Sequence, residues 1–100
     1  MVRLSAERIR KSTVAARLRL TRQALKLSQI DLCRITLISP QAWNNAETGD
    51  NLIGIANAVR LCHATGVTLD WIYRGERSNL PKSIAKKIVR ATRASSRRRN

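Results

Sequence analysis

Phenylalanine is absent from this chain, and its aromatic complement is two Trp and one Tyr, so aliphatic side chains must fill most of any core. Acidic residues are also scarce: six Asp and Glu stand against twenty Lys and Arg, with a single His. Few acids, one imidazole and two cysteines outside any CxxC pair leave no acid–base couple and no cluster of metal ligands. None of the four glycines belongs to a phosphate-cradling loop, so no catalytic residue, metal or cofactor is expected. Cys33 and Cys62 occupy helical patterns at positions that want small apolar groups, and they are read as reduced thiols packed as hydrophobes. No apolar run approaches the roughly 20 residues that cross a bilayer. The N-terminus also lacks a continuous hydrophobic segment of secretory type. A cytoplasmic protein with no membrane partner is the expectation. Residues 1–20 are Arg-rich and acid-poor like a mitochondrial presequence, but Val14, Leu18 and Leu25 continue the pattern into a helix that belongs to the fold.

What is abundant is positive charge, and it is unevenly placed. The formal net charge is +14, made up of +7 in residues 1–26, −2 in residues 27–76 and +9 in residues 77–100. One hundred residues suit a single domain with one modest core. A slightly acidic centre between two basic flanks implies a polyanionic partner, the flanks supplying attraction and the centre selectivity.

The pattern is helical throughout. A first helix from about Val14 to Leu25 buries Val14, Leu18 and Leu25 and leaves Arg17, Arg19 and Lys26 wet. Ser28 is a candidate N-cap with Asp31 three residues on, and Ser39 repeats the device with Pro40 at the first helical position. Gly49 supplies the stop. Between Ser39 and Gly49, Gln41, Asn44, Asn45 and Thr48 recur at i, i+3, i+4 and i+7 and so share one face, with Trp43 and Ala46 on the other. A fourth helix after Gly54 places Ile55, Ala58, Val59 and Cys62 inward, and a fifth runs from Leu69 to Arg74 with Thr68 as cap. Leu80, Ile84 and Ile88 then form the stripe of a basic helix, which can pack on the domain, join a dimer contact or lie on lipid. Ser95 to Asn100 lack apolar content and are expected to be disordered.

Two short helices joined by a tight turn, the second bearing a row of amides, are what a helix-turn-helix needs to enter a major groove. From about Ala15 to Glu76 the chain resembles the Cro and phage-repressor type of helix-turn-helix domain, the XRE family. The residues that carry the resemblance are Leu27-Ser28-Gln29, Ile38-Ser39, Glu47 with Gly49, and Gly66-Val67-Thr68-Leu69-Asp70-Trp71-Ile72. It implies an all-α, lambda-repressor-like five-helix domain at residues 14–76, preceded by a basic arm at 1–13 and followed at 77–100 by a basic helix and tail.

The carboxamides of Gln41 and Asn45 are the candidates for base readout, since each can pair bidentately with adenine. The resemblance matches the same two positions to base contacts. Asn44 supports them, and Pro40 departs from the usual polar residue and offers apolar contact to a thymine methyl. Gln29 matches the family position that bonds a backbone phosphate, and Ser39 and Thr48 are assigned with it. Glu47 lies near a helix C-terminus, where the dipole disfavours an anion and calls for a partner. In similar domains that partner comes from the first helix, where Arg22 matches. Trp43 replaces the usual aliphatic and Ala46 is smaller than usual, a pair read as a compensating core change. Asp50, Asn51 and Leu52 lack the Lys or Arg that often holds phosphate after the recognition helix, which shifts that burden to the flanks.

The function implied is a sequence-specific transcriptional regulator of bacterial or phage type, a repressor by base rate, binding double-stranded DNA as a homodimer at the nucleoid. The alternatives are an antitoxin that binds operator DNA and a toxin protein, and a non-specific nucleic-acid-packaging protein.

Overall fold

In a computed structural model of the chain, which describes residues 10–98, five α-helices and one π-helical turn surround a core of aliphatic side chains and two indoles. The helices are α1 (Lys11–Ala24), α2 (Gln29–Thr36), α3 (Pro40–Thr48), α4 (Ile55–Thr65) and α5 (Lys82–Arg98), with the π turn (Asp70–Arg74) between α4 and α5. Among the described residues there are no strands. Residues 1–9 of the expected arm lie outside the described residues, as do Arg99 and Asn100.

α1 begins at Lys11, three residues before its expected start, because Arg10 is extended and its carbonyl accepts the first helical bond from Val14 N–H at 2.9 Å. Val14, Ala15 and Leu18 are buried, whereas Leu25 is a half-buried C-cap rather than a core residue. Arg17 is not a wet side chain either: its Nη1 donates to the Ile72 carbonyl at 3.0 Å and ties α1 to the π turn. The same junction holds Trp71, whose Nε1 donates to Thr21 Oγ1 at 2.8 Å, while that hydroxyl donates to the Arg17 carbonyl at 2.6 Å. A buried indole N–H and a buried hydroxyl thus satisfy one another.

α4 corrects the predicted stripe. Ala58 and Leu61 are fully buried and Cys62 partly so, but Ile55 is 63% exposed and Val59 also faces out. The sequence contains two overlapping stripes, 55/58/59/62 and 58/61/62/65, and packing selects the second. The expected fifth helix is a π turn in which consecutive Trp71 and Ile72 are both buried. Thr68 caps it by accepting from Trp71 N–H at 3.0 Å.

Leu80, Ile84 and Ile88 are buried, and α5 lies against α1. The basic helix therefore packs back on the domain. Its backbone stays helical to Arg98, into the stretch expected to be disordered, because adding a residue to an established helix costs far less than nucleating one.

Candidate nucleic-acid interface

Local sequence chemistry builds the α2–turn–α3 unit. Ser28 Oγ accepts from Asp31 N–H at 3.0 Å, and Ser39 Oγ accepts from Ala42 N–H at 3.2 Å, with Pro40 at the start of α3 where its missing N–H is harmless. Between the helices, Leu37 takes the left-handed conformation at φ 63° and donates its N–H to the Cys33 carbonyl at 2.9 Å. The Thr36 hydroxyl donates to the Leu32 carbonyl at 2.8 Å and accepts from Ile38 N–H at 3.3 Å, which fixes the turn from beneath. Gly49 ends α3 at φ 87°; a Cβ there would sit 3.7 Å from that of Ala15, so the positive φ rather than lack of space favours glycine.

α3 is divided sharply around its axis. Trp43, Ala46 and Glu47 are buried; Pro40, Gln41, Asn44 and Thr48 are exposed, and Asn45 is half-exposed. The exposed face carries no formal charge. Thr48 Oγ1 donates to the Asn45 carbonyl at 3.2 Å, and Gln29 is half-buried at the start of α2.

The buried side of α3 is held by one carboxylate. Arg22 Nε donates to both Glu47 oxygens at 3.2 and 3.0 Å, its Nη2 to Oε1 at 2.6 Å, and its Nη1 to the Leu27 carbonyl at 3.0 Å. Trp43 Nε1 donates to Glu47 Oε2, and the Gln29 side chain, across from α2, makes a smaller favourable contribution to the carboxylate's charge. Burial alone would raise the Glu47 carboxyl, but the bonds and charge of Arg22, joined by Trp43 and Gln29, outweigh it and hold the group below its ordinary value. The hydrogen bond to Glu47 raises Arg22 in turn, against the opposing effect of burial. One guanidinium thus links α1, the α1–α2 turn and α3, so the amide face keeps a defined orientation relative to the start of α2.

Sequence reasoning treated Trp43 as packing and missed its donor role. The i, i+4 spacing of Trp43 and Glu47 was the available signal, since a buried indole N–H needs an acceptor. Gln29 was read only as a phosphate ligand, and its link to Glu47 had no local signal because the two lie on different helices. Asp50, Asn51 and Leu52 are exposed and add no cation beside α3.

Burial raises the Cys33 thiol, with a smaller push from the Glu47 charge, and burial raises Cys62 as well, so neither tends toward thiolate. No group of three or more His, Cys, Asp or Glu side chains converges among the described residues, and no helix there is long and apolar enough to cross a membrane.

A family model described as helix-turn-helix matches residues 18–72, more than half of the chain and the whole of α2, α3 and α4. No curated protein and no solved structure matches.

Proposed function

We propose that this chain, which belongs to the helix-turn-helix family of DNA-binding transcription regulators, is a Cro-like repressor that reads adenines with the uncharged face of α3. The observation that carries the reading is the split of that helix: amides outward on one side, and a buried ion pair with an indole fixing the other. A carboxamide held in this way can accept from the adenine N6 amino group and donate to N7, which discriminates by about 1–3 kcal/mol per bidentate pair. Gln41 and Asn45 take this role, Asn44 supports them, and Pro40 offers a surface to a thymine methyl.

Phosphate contacts set the register. Gln29 lies where the α2 dipole favours an anion. Ser39 uses its oxygen as a cap acceptor and keeps its hydroxyl proton for a phosphate oxygen. Thr48 would exchange its bond to the Asn45 carbonyl for one to phosphate. Arg22 and Glu47 position the helix and touch no nucleotide. A homodimer would place two copies of α3 on half-sites about one helical turn apart, roughly 34–36 Å. The working location is the cytoplasm, at the nucleoid, and no enzymatic step is involved.

Net charge also supports a second reading, sequence-blind packaging of nucleic acid, because +14 on 100 residues binds any duplex. One selection experiment separates the two. Sites chosen from random duplex by the intact chain should share an adenine-containing consensus that the Gln41→Ala, Asn45→Ala double variant loses. The same consensus from both proteins would overturn base reading by α3, and equal displacement of a selected site by unrelated duplex at physiological salt would favour packaging.

A further inference from the structure

Between the end of α1, the α1–α2 turn and the outer half of α5 lies an open groove of about 750 Å³. Lys26 on one wall and Lys87 and Arg90 on the other give it three cationic side chains, and no carboxylate lines it. A fourth, Arg22, is already engaged by Glu47 and the Leu27 carbonyl. Lys26, Lys87 and Arg90 are exposed and have no ion-pair partner among the described residues. Ala24, Leu25, Leu27, Ala91 and Ala94 form the apolar part of the lining.

Two features show that this concentration of cations is built into the fold. Lys26 follows the end of α1 at φ 58°, where its N–H donates to the Gln23 carbonyl at 3.0 Å and that of Leu27 to the Arg22 carbonyl at 3.1 Å, so the helix-ending turn fixes where this lysine leaves the backbone. On α5, burial of Ile84 and Ile88 against the domain fixes the helix rotation, and with it the direction in which Lys87 and Arg90 point. Lys86 and Arg93, one and three residues away, are exposed but do not line the groove. The groove runs into Leu27, which directly precedes the α2 N-cap Ser28 and Gln29.

We infer that this groove seats a backbone phosphate of duplex DNA, with Lys26, Lys87 and Arg90 as its ligands. The inference rests on the DNA-binding reading and extends it by identifying which cations of the C-terminal segment make direct contact. It also supplies a cationic phosphate contact, for which Asp50, Asn51 and Leu52 offer no Lys or Arg after α3. Charge complementarity selects the occupant: a phosphodiester brings one negative charge to three unpaired positive ones, and apolar stems beside them accommodate the sugar.

The test compares two variants of equal charge in the full-length protein, Lys87→Gln with Arg90→Gln and Lys86→Gln with Arg93→Gln, on the selected duplex over a range of salt concentrations. Loss of this phosphate contact should lower the salt slope by up to about 0.9 in the groove pair, at roughly 0.9 per phosphate. Its affinity deficit should then be about threefold greater at 50 mM than at 200 mM salt. The control pair should keep the parent slope to within half a unit. Equal slopes for both variants, lowered or not, would overturn the inference, since only general charge would then matter. A retained consensus in the groove pair with a changed slope supports it. Failure of base reading is scored separately, by the Gln41→Ala, Asn45→Ala selection.

Discussion

α3 and α5 both pack on α1, but only α3 adds an ion pair to its apolar contacts, and the two present different surfaces. α3 adds to its buried Trp43 and Ala46 a directional bond: the forked guanidinium of Arg22 on the Glu47 carboxylate, which also takes the Trp43 indole N–H within the helix. Its outward face is neutral. α5 is held by a non-directional aliphatic stripe, Ile84 and Ile88 following Leu80, and it carries seven Lys and Arg with no acid. Hydrogen bonds to a base edge tolerate little error in angle, so the reading helix needs directional fixation. Attraction to phosphate falls off slowly with distance and angle, so a helix that supplies it needs only to be docked. On the proposed reading, specificity and affinity fall to different helices of one small domain.

The sharpest way to break this contrast is to remove the directional lock. Glu47→Ala leaves Arg22 facing the interior without its carboxylate. Because the Arg22 side chain is 18% exposed against 5% for Glu47, the loss should be about 3 kcal/mol, the low end for a broken buried pair, measured by denaturant unfolding. The lock also carries a pH signature. The Glu47 carboxyl is depressed in the folded state, so its stabilisation is complete above the ordinary glutamate value of 4.5 and disappears as pH falls through the lower folded value. Unfolding free energy should therefore rise with pH across the acid range in the parent and rise less steeply in Glu47→Ala. Parallel pH profiles would show that the pair contributes no linkage.

A smaller effect tests the other junction. Ile88→Ala removes a fully buried side chain from a terminal helix that can partly settle, and should cost about 2 kcal/mol. Here the contrast predicts a dissociation: the salt slope of DNA binding should fall while the selected consensus remains, and a shifted consensus would show that the two junctions are not independent. The smallest effect concerns the turn between α2 and α3. Leu37 is 81% exposed and held at φ 63°, so it contributes little burial and bears left-handed strain. Leu37→Gly should stabilise the domain by about 1 kcal/mol in the same unfolding assay. A destabilised Leu37→Gly would mean that the exposed leucine makes a contact worth more than its strain.

Much of the fold was legible because its signals are local. Ser28 and Ser39 as caps, Pro40 at a first helical position and Gly49 past a helix end act within four residues of themselves, so the helix-turn-helix could be located from the sequence. The amide row on α3 followed from helical periodicity alone. Arg17 and Thr21 carried no such signal: Arg17 reads as a solvated cation and nothing near Thr21 in the chain marks its hydroxyl, until Ile72 and Trp71 arrive from some fifty residues away. Gln29 likewise joined Glu47 only once α2 and α3 were packed together.

Taken alone, the order of side chains determined where α2 and α3 begin and where α3 ends, which face of α3 is uncharged, and that both flanks are basic, because these depend on backbone capping, the 3.6-residue repeat and composition. Packing decided which of two stripes α4 buries, that Asp70–Arg74 widens into a π turn, and that Lys87 and Arg90 line a groove while Lys86 and Arg93 do not. Those outcomes turn on rotations of a helix by a fraction of a turn, and such rotations are chosen by the shapes of neighbouring elements rather than by any preference within the helix itself.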